Sequence, residues 1–260
     1  MRPNMSGRSA TIFRHEARMV MMSPITIVWF VVPFAMMAFV QHAFDIYLAT
    51  TGHQSSTGAE LVGPGVTALY AFLALSHLGL VTYNEHQWNV WNRLQSGSVT
   101  TSELIRGKVA FHLVFIGMLM IIQTLGAFLI WRVDLPNEFL GIAALLILTT
   151  TTIVAWGWLG IALMPSNSLF DAWVYGGAIF MAAIGGAIVP FGLLPAAVQP
   201  VARISPIYWL IDGFRTLLID RGTTEDILGP ILALAAFTVG FAALAVLRFD
   251  PTTRRDGRQQ

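Results

Sequence analysis

The sequence predicts an all-α integral membrane protein with six transmembrane helices, an amino-terminal interfacial helix, and short re-entrant or outer helices before the last span. Three observations carry this. Hydrophobic residues make up 55% of the 260-residue chain and charged ones 11%, against about 25% charged in ordinary soluble domains, so a water-facing surface is not covered. Six apolar stretches free of Lys and Arg come close to or exceed the roughly 20 residues a helix needs to cross a hydrocarbon core of about 30 Å. Eleven of the fifteen basic residues fall on one side of those stretches, the asymmetry that sets membrane orientation.

The elements follow in order. Residues 1–24 read as a tail and an elbow helix lying on the membrane surface. Its clearest part is 11–23, where Ile12, Met19 and Met22 occupy a different face from Arg14 and Arg18. Pro24 marks the turn into the bilayer. The spans cover about 25–44, 64–82, 109–130, 139–164, 172–189 and 227–247. They must be helices, because unpaired backbone groups find no water in hydrocarbon, and they are too long for barrel strands of about ten residues. The first apolar run is too long for a cleavable signal peptide and lacks a clear small-x-small site, so it reads as an uncleaved span. Residues 190–226 carry Pro190, Pro195, Pro200 and Pro206 with Arg203, Asp212, Arg215 and Asp220. Prolines at that density break a continuous helix and leave short helices dipping into one membrane face. Residues 248–260 form a second tail.

Orientation comes from Arg2, Arg8, Arg14 and Arg18 in the first tail, Arg93, Arg106 and Lys108 between spans two and three, and Arg248, Arg254, Arg255 and Arg258 in the last tail. Both termini are thereby expected in the cytoplasm, which an even number of spans requires. The largest cytoplasmic stretch, 83–108, is too short to build a soluble core. The absence of cysteine excludes disulfides, thiolate metal sites and thiol nucleophiles. A net charge of +1 gives no sign of a nucleic-acid partner.

Chemistry-bearing motifs are scarce. Gly107-Lys108 is followed by Val109 and has no glycine five residues before it, so no phosphate-cradling loop forms. His-Glu-x-x-His, Gly-x-Ser-x-Gly and paired intramembrane carboxylates are missing, which argues against a membrane protease, lipase or proton-coupled carrier. By the boundaries above, the spans hold almost no ionisable side chain beyond His77 and His112. His77, beside Ser76, is either a neutral histidine bonded to a neighbouring helix or a proton or substrate group. Trp29, Trp131, Trp173 and Trp209 fall near interfaces, where amphipathic rings settle. Trp156 and Trp158 lie inside span four and point in different directions, lining a pathway or packing. The run Thr149 to Thr152 reads as structural, its hydroxyls bonding preceding carbonyls or neighbouring helices. Ala178, Ala182 and Gly186 recur at four-residue spacing, a face suited to close helix approach. Residues 83–95 mix charge with exposed aromatics, as a headgroup-surface helix or a docking helix would.

The arrangement as a whole resembles the permease subunits of type-2 ABC exporters. FRHEARMVMMSPITIVWFVVPF is similar to that family's elbow helix leading through a proline into span one. NEHQWNVWNRLQSGSVTTSELIRGKV resembles its Glu-x-x-x-Gly-Thr-x-x-Arg-Leu segment followed by Gly-Lys, with Asn89 where glycine is frequent and Gly97 where a proline is common. The most specific block, GGAIFMAAIGGAIVPFGLLPAAVQPVARISPIYWLIDGFRTLLIDRG, is similar to the family's Gly-Gly, Pro, Leu-Pro, Ser-Pro-x-x-Trp and x-Asp-Gly-x-Arg sequence.

The resemblance implies a transport subunit that is not itself an enzyme and binds no cofactor directly, with ATP and Mg held by a separate nucleotide-binding ATPase subunit. It implies a second permease chain, in a homodimer or heterodimer, and a surrounding membrane lipid phase in a bacterial cytoplasmic membrane. Arg14 and Glu16 of the elbow, with Glu85, Trp91, Arg93 and Leu94, would couple to the ATPase. Pro190, Pro195, Pro206, Trp209, Asp212 and Arg215 would shape the exit side, and His77, Trp156 and Trp158 are the pathway candidates. Nearly uncharged spans suit amphiphilic cargo, a drug, antibiotic or lipid-like compound. Export of lipid-linked polysaccharide and a non-transporting role in membrane assembly are the alternatives.

Overall fold

The computed structural model describes residues 5–51, 57–88, 100–133 and 138–249. The chain is an all-α membrane fold with no β-strand among the described residues. Helix α1 spans Met5–Met21, and six helices long and apolar enough to cross a membrane follow: α2 (Ile25–Thr50), α3 (Gly58–Gln87), α4 (Thr101–Ile130), α5 (Phe139–Leu163), α6 (Asn167–Gly185) and α9 (Leu228–Arg248). Between the last two lie a 3₁₀ turn (Phe191–Leu193), α7 (Gln199–Ala202) and α8 (Pro206–Leu218).

Helix α3 is the central post. Of its most apolar 18 residues 78% are buried, against 22% in α2 and 17% in α9. Helix α2 buries one stripe, Thr26, Trp29, Pro33, Met37, Phe44 and Leu48, at helical spacing. Its other face, with Ile27, Val31 and Phe39, is exposed and suited to lipid. Pro33 sits inside this helix and cannot donate to the carbonyl four residues back, that of Trp29. The fully buried Gln123 of α4 replaces the missing bond, its Nε2 donating to the Trp29 carbonyl at 3.0 Å, which is how a membrane helix tolerates proline.

Helix ends explain where the sequence boundaries shift. Helix α4 starts eight residues before the predicted span because Thr100 and Glu103 form a reciprocal capping box. Asp45 of α2 accepts from the Gly58 amide at 2.5 Å and so caps the start of α3. The fifth span, expected at 172–189, runs 167–185 instead. Ser166 caps its start, and Gly186, at φ +91°, ends it in the left-handed conformation that favours glycine. Elbow helix α1 begins six residues earlier than the 11–23 segment. The expected scarcity of ionisable groups in the spans is corrected: His42 already lies within the first expected span, and the longer or shifted helices take in Asp45, Glu60, Asp171, Glu85 and Lys108. A hydropathy window stops at such residues, whereas a helix carries on where they find partners.

The threonine run bonds both within its helix and across to α9. Thr151 and Thr152 donate to the Leu148 carbonyl at 2.8 Å, and Thr152 lies 2.8 Å from the Thr238 hydroxyl. Ala178 and Ala182 are fully buried within the protomer, and Gly177 on the same helix faces the Trp156 ring.

Candidate functional site

One end of the bundle gathers α1, the end of α3, the starts of α4 and α6, and the ends of α5 and α9. Basic residues Arg14, Arg18, Arg106, Lys108 and Arg248 concentrate there. Helix α1 docks on α4 across Gly107, where an added Cβ would stand 2.8 Å from the Ser9 carbonyl oxygen and from the Ile12 Cβ. The Ser9 hydroxyl donates to the Glu103 carbonyl at 3.1 Å, and Phe13 meets Phe111 edge-on with centroids 5.7 Å apart. Glycine at 107 is required by this approach.

The next residue, Lys108, is fully buried and ion-pairs with Glu16 of α1 and, at 2.9 Å, with Glu85 of α3. Three segments remote in sequence are thus joined by one ammonium between two carboxylates. Burying this cluster removes it from competing water, so its attraction is strong and its geometry tightly held. Among the described residues the second oxygen of Glu16, Oε2, is buried without a hydrogen-bond partner. Glu85 stands within a turn of Trp88, the last described residue before the 89–99 segment.

Of the predicted coupling residues, Glu16 and Glu85 meet in this cluster, while Arg14 is exposed on α1 beside it. Trp91, Arg93 and Leu94 lie outside the described residues. Lys108, which holds the two acids, was not among the predicted site residues. The available signal was a lysine opening an otherwise apolar stretch, a position where a charge needs a partner.

The pathway candidates are not brought together. Trp156 stacks on Trp173 (4.0 Å, 17°) and meets Phe241 edge-on at 5.2 Å, binding α5, α6 and α9 into one aromatic packing unit. Trp158 points elsewhere, toward His112 (5.8 Å) and Phe249 (6.3 Å). His77 is half-buried, and its buried Nε2 has no hydrogen-bond partner among the described residues. Its neighbour Ser76 bonds Asp171 of α6, which also accepts from Asn167 at 3.0 Å. That polar bridge between α3 and α6 was missed because Asp171 falls just outside the predicted span.

The opposite end is closed by α8. The Ser205 hydroxyl donates to the Met181 carbonyl at 2.8 Å and accepts from the Ile207 amide at 3.2 Å, while Pro206 starts the helix. Trp209 is half-buried and its indole donates to the Arg203 carbonyl at 2.8 Å. A pocket of about 310 Å³ opens here, lined among others by Tyr47, Phe191, Tyr208, Asp212 and Arg215. Burial pushes the Asp212 carboxyl up from its ordinary value, opposed by the Arg215 guanidinium and reinforced by Asp220. Burial likewise raises the Tyr208 phenol, with Asp212 adding to the effect. Two phenols, a carboxyl and a guanidinium around one cavity suit a polar or zwitterionic group. Pro190 and Pro206 are buried in the frame of this end and Pro195 is exposed.

Among the described residues no three His, Asp or Glu side chains gather as a metal ion would need. The chain matches no protein-family model, and no curated protein matches its sequence.

Proposed function

We propose that the chain is the permease subunit of an ATP-driven exporter that moves amphiphilic compounds across a cell membrane. The observation that carries this reading is the buried Glu16–Lys108–Glu85 cluster. It makes the surface helix and the ends of two membrane-crossing helices one rigid unit, so a push on α1 is delivered to α3 and α4 as a small rigid-body movement. The basic end of the bundle faces the cytoplasm, as the excess of Lys and Arg there favours. The pocket at the α8 end is the exit side. ATP and Mg belong to a separate nucleotide-binding subunit, two copies of which act on two permease chains in a bacterial cytoplasmic membrane.

Co-purification tests this. Co-expressed with each nucleotide-binding ATPase subunit of its source genome, the chain is expected to leave detergent extraction in complex with one of them. Arg14→Glu combined with Arg93→Glu, which reverses two of the charges expected to couple to the ATPase, is expected to dissociate it. Absence of a complex with the unaltered chain overturns the proposal.

A further inference from the structure

Between α4, α5 and α9, at the basic end, lies a cleft of about 420 Å³. Its walls include Ile105, Val109, Leu113, Val154, Trp158 and Phe249. Val246 on its rim is 78% exposed, so the cleft opens on the lipid-facing side of the bundle. The hydroxyl of Thr151, also in the lining, is already committed to the Leu148 carbonyl. From Ile105 to Leu113 the wall runs about 12 Å at the helical rise, which fits within one leaflet of a hydrocarbon core about 30 Å thick.

Two further features narrow the occupant. Trp158, 8% exposed, walls the slot with its aromatic ring, while its indole Nε1 is buried away from the surface. Arg106 and Arg248, both exposed, directly adjoin the lining residues Ile105 and Phe249. The cleft therefore offers an apolar slot with an aromatic wall, and two cations beside it.

We propose that this cleft binds one acyl chain of an anionic phospholipid from the leaflet at the basic end. The chain fills the slot against the Trp158 ring, and Arg106 and Arg248 attract the phosphate. A bound lipid there bridges α4, which carries Lys108, to α9, which otherwise packs chiefly on α5. The site rests on the membrane-spanning fold and not on the exporter reading.

The test uses the full chain in phosphatidylcholine nanodiscs, titrated with phosphatidylglycerol brominated on its acyl chain near the headgroup, a short-range quencher of indole emission. The Trp158 contribution is the difference between the unaltered chain and Trp158→Phe. Quenching of that component is expected to saturate with lipid fraction and to be lost in Ala155→Leu, which fills the slot. Exposed-site variants Arg106→Gln and Arg248→Gln, which leave the packed core alone, are each expected to weaken the half-saturating lipid fraction about fivefold, the effect of about 1 kcal/mol per basic residue near an anionic surface. Quenching that rises linearly without saturation, or that is indifferent to both arginines, overturns the proposal. So does a slot-filling variant that changes the oligomeric state while leaving quenching intact, since the cleft would then receive a second copy of the chain.

Discussion

Replacing Lys108 by methionine keeps an unbranched side chain one atom shorter and removes the charge that two buried carboxylates share. The Nζ lies 2.9 Å from Glu85 Oε2 and is ion-paired with Glu16 as well, with Lys108 and Glu16 fully buried. At an effective dielectric constant of about 20, one contact at that distance corresponds to about 6 kcal/mol of Coulomb attraction before desolvation is subtracted. Truncating one partner of a buried ion pair typically costs about 3–5 kcal/mol, because the remaining charge stays buried and uncompensated. For a chain of this size that is a fall in unfolding midpoint of about 10 °C, measured by intrinsic fluorescence in detergent. A combined variant, Glu16→Gln, Lys108→Met and Glu85→Gln, leaves no unpaired charge and is expected to regain most of that loss. Limited trypsinolysis supplies a second readout, since a freed α1 exposes its backbone at Arg14 and Arg18 to cleavage. A Lys108→Met protein that melts within about 2 °C of the unaltered chain and resists trypsin equally would refute the claim that this cluster pins the elbow.

Three further outcomes are expected. Gln123→Leu strands the Trp29 carbonyl left open by Pro33, at a cost of about 1–3 kcal/mol; in a Pro33→Ala background, where the helix supplies its own donor, the same change should be nearly neutral, and a double-mutant cycle measures the coupling. Gly107→Leu drives a side chain into Ser9 and Ile12 and should release α1, read as faster tryptic cleavage at Arg14 and Arg18 with the remaining helices intact by circular dichroism. Asp212 has its folded-state carboxyl raised by burial, so the native state holds the proton more tightly and stability falls as pH rises from the ordinary value near 3.8 through the raised one. Asp212→Asn should therefore melt higher than the unaltered chain at pH 7, and the gain should vanish on acidification below the ordinary carboxylate range; a gain independent of pH would contradict the assignment.

Much of the architecture was legible because bilayer length and charge act on the chain directly. Spans four and six, expected at 139–164 and 227–247, run 139–163 and 228–248, since each is a long uninterrupted apolar run. Span five slipped because hydropathy does not register backbone caps, and Ser166 and Gly186 set its ends. The proline-rich segment was correctly read as broken, yet the one long piece in it, α8, depends on the Ser205 cap and the Met181 carbonyl, a tertiary contact. The candidate site was less legible. Lys108 acquires its meaning from Glu16, 92 residues earlier, and from Glu85 on another helix, and no local pattern announces that meeting. Gln123 belongs to the same class, a polar residue in an apolar run whose purpose appears only opposite Pro33.

The central claim, that energy enters this chain from a separate ATPase and leaves as movement of an amphiphile, is tested most directly in proteoliposomes holding the chain and the ATPase subunit that co-purifies with it. ATP added on the basic-end side should drive a fluorescent amphiphilic dye toward the α8 side, with no transport when either chain or ATP is omitted and sharply reduced transport in Arg14→Glu. Dye movement that is the same without the ATPase, or ATP hydrolysis in the complex with no movement of any amphiphile tried, would contradict the account.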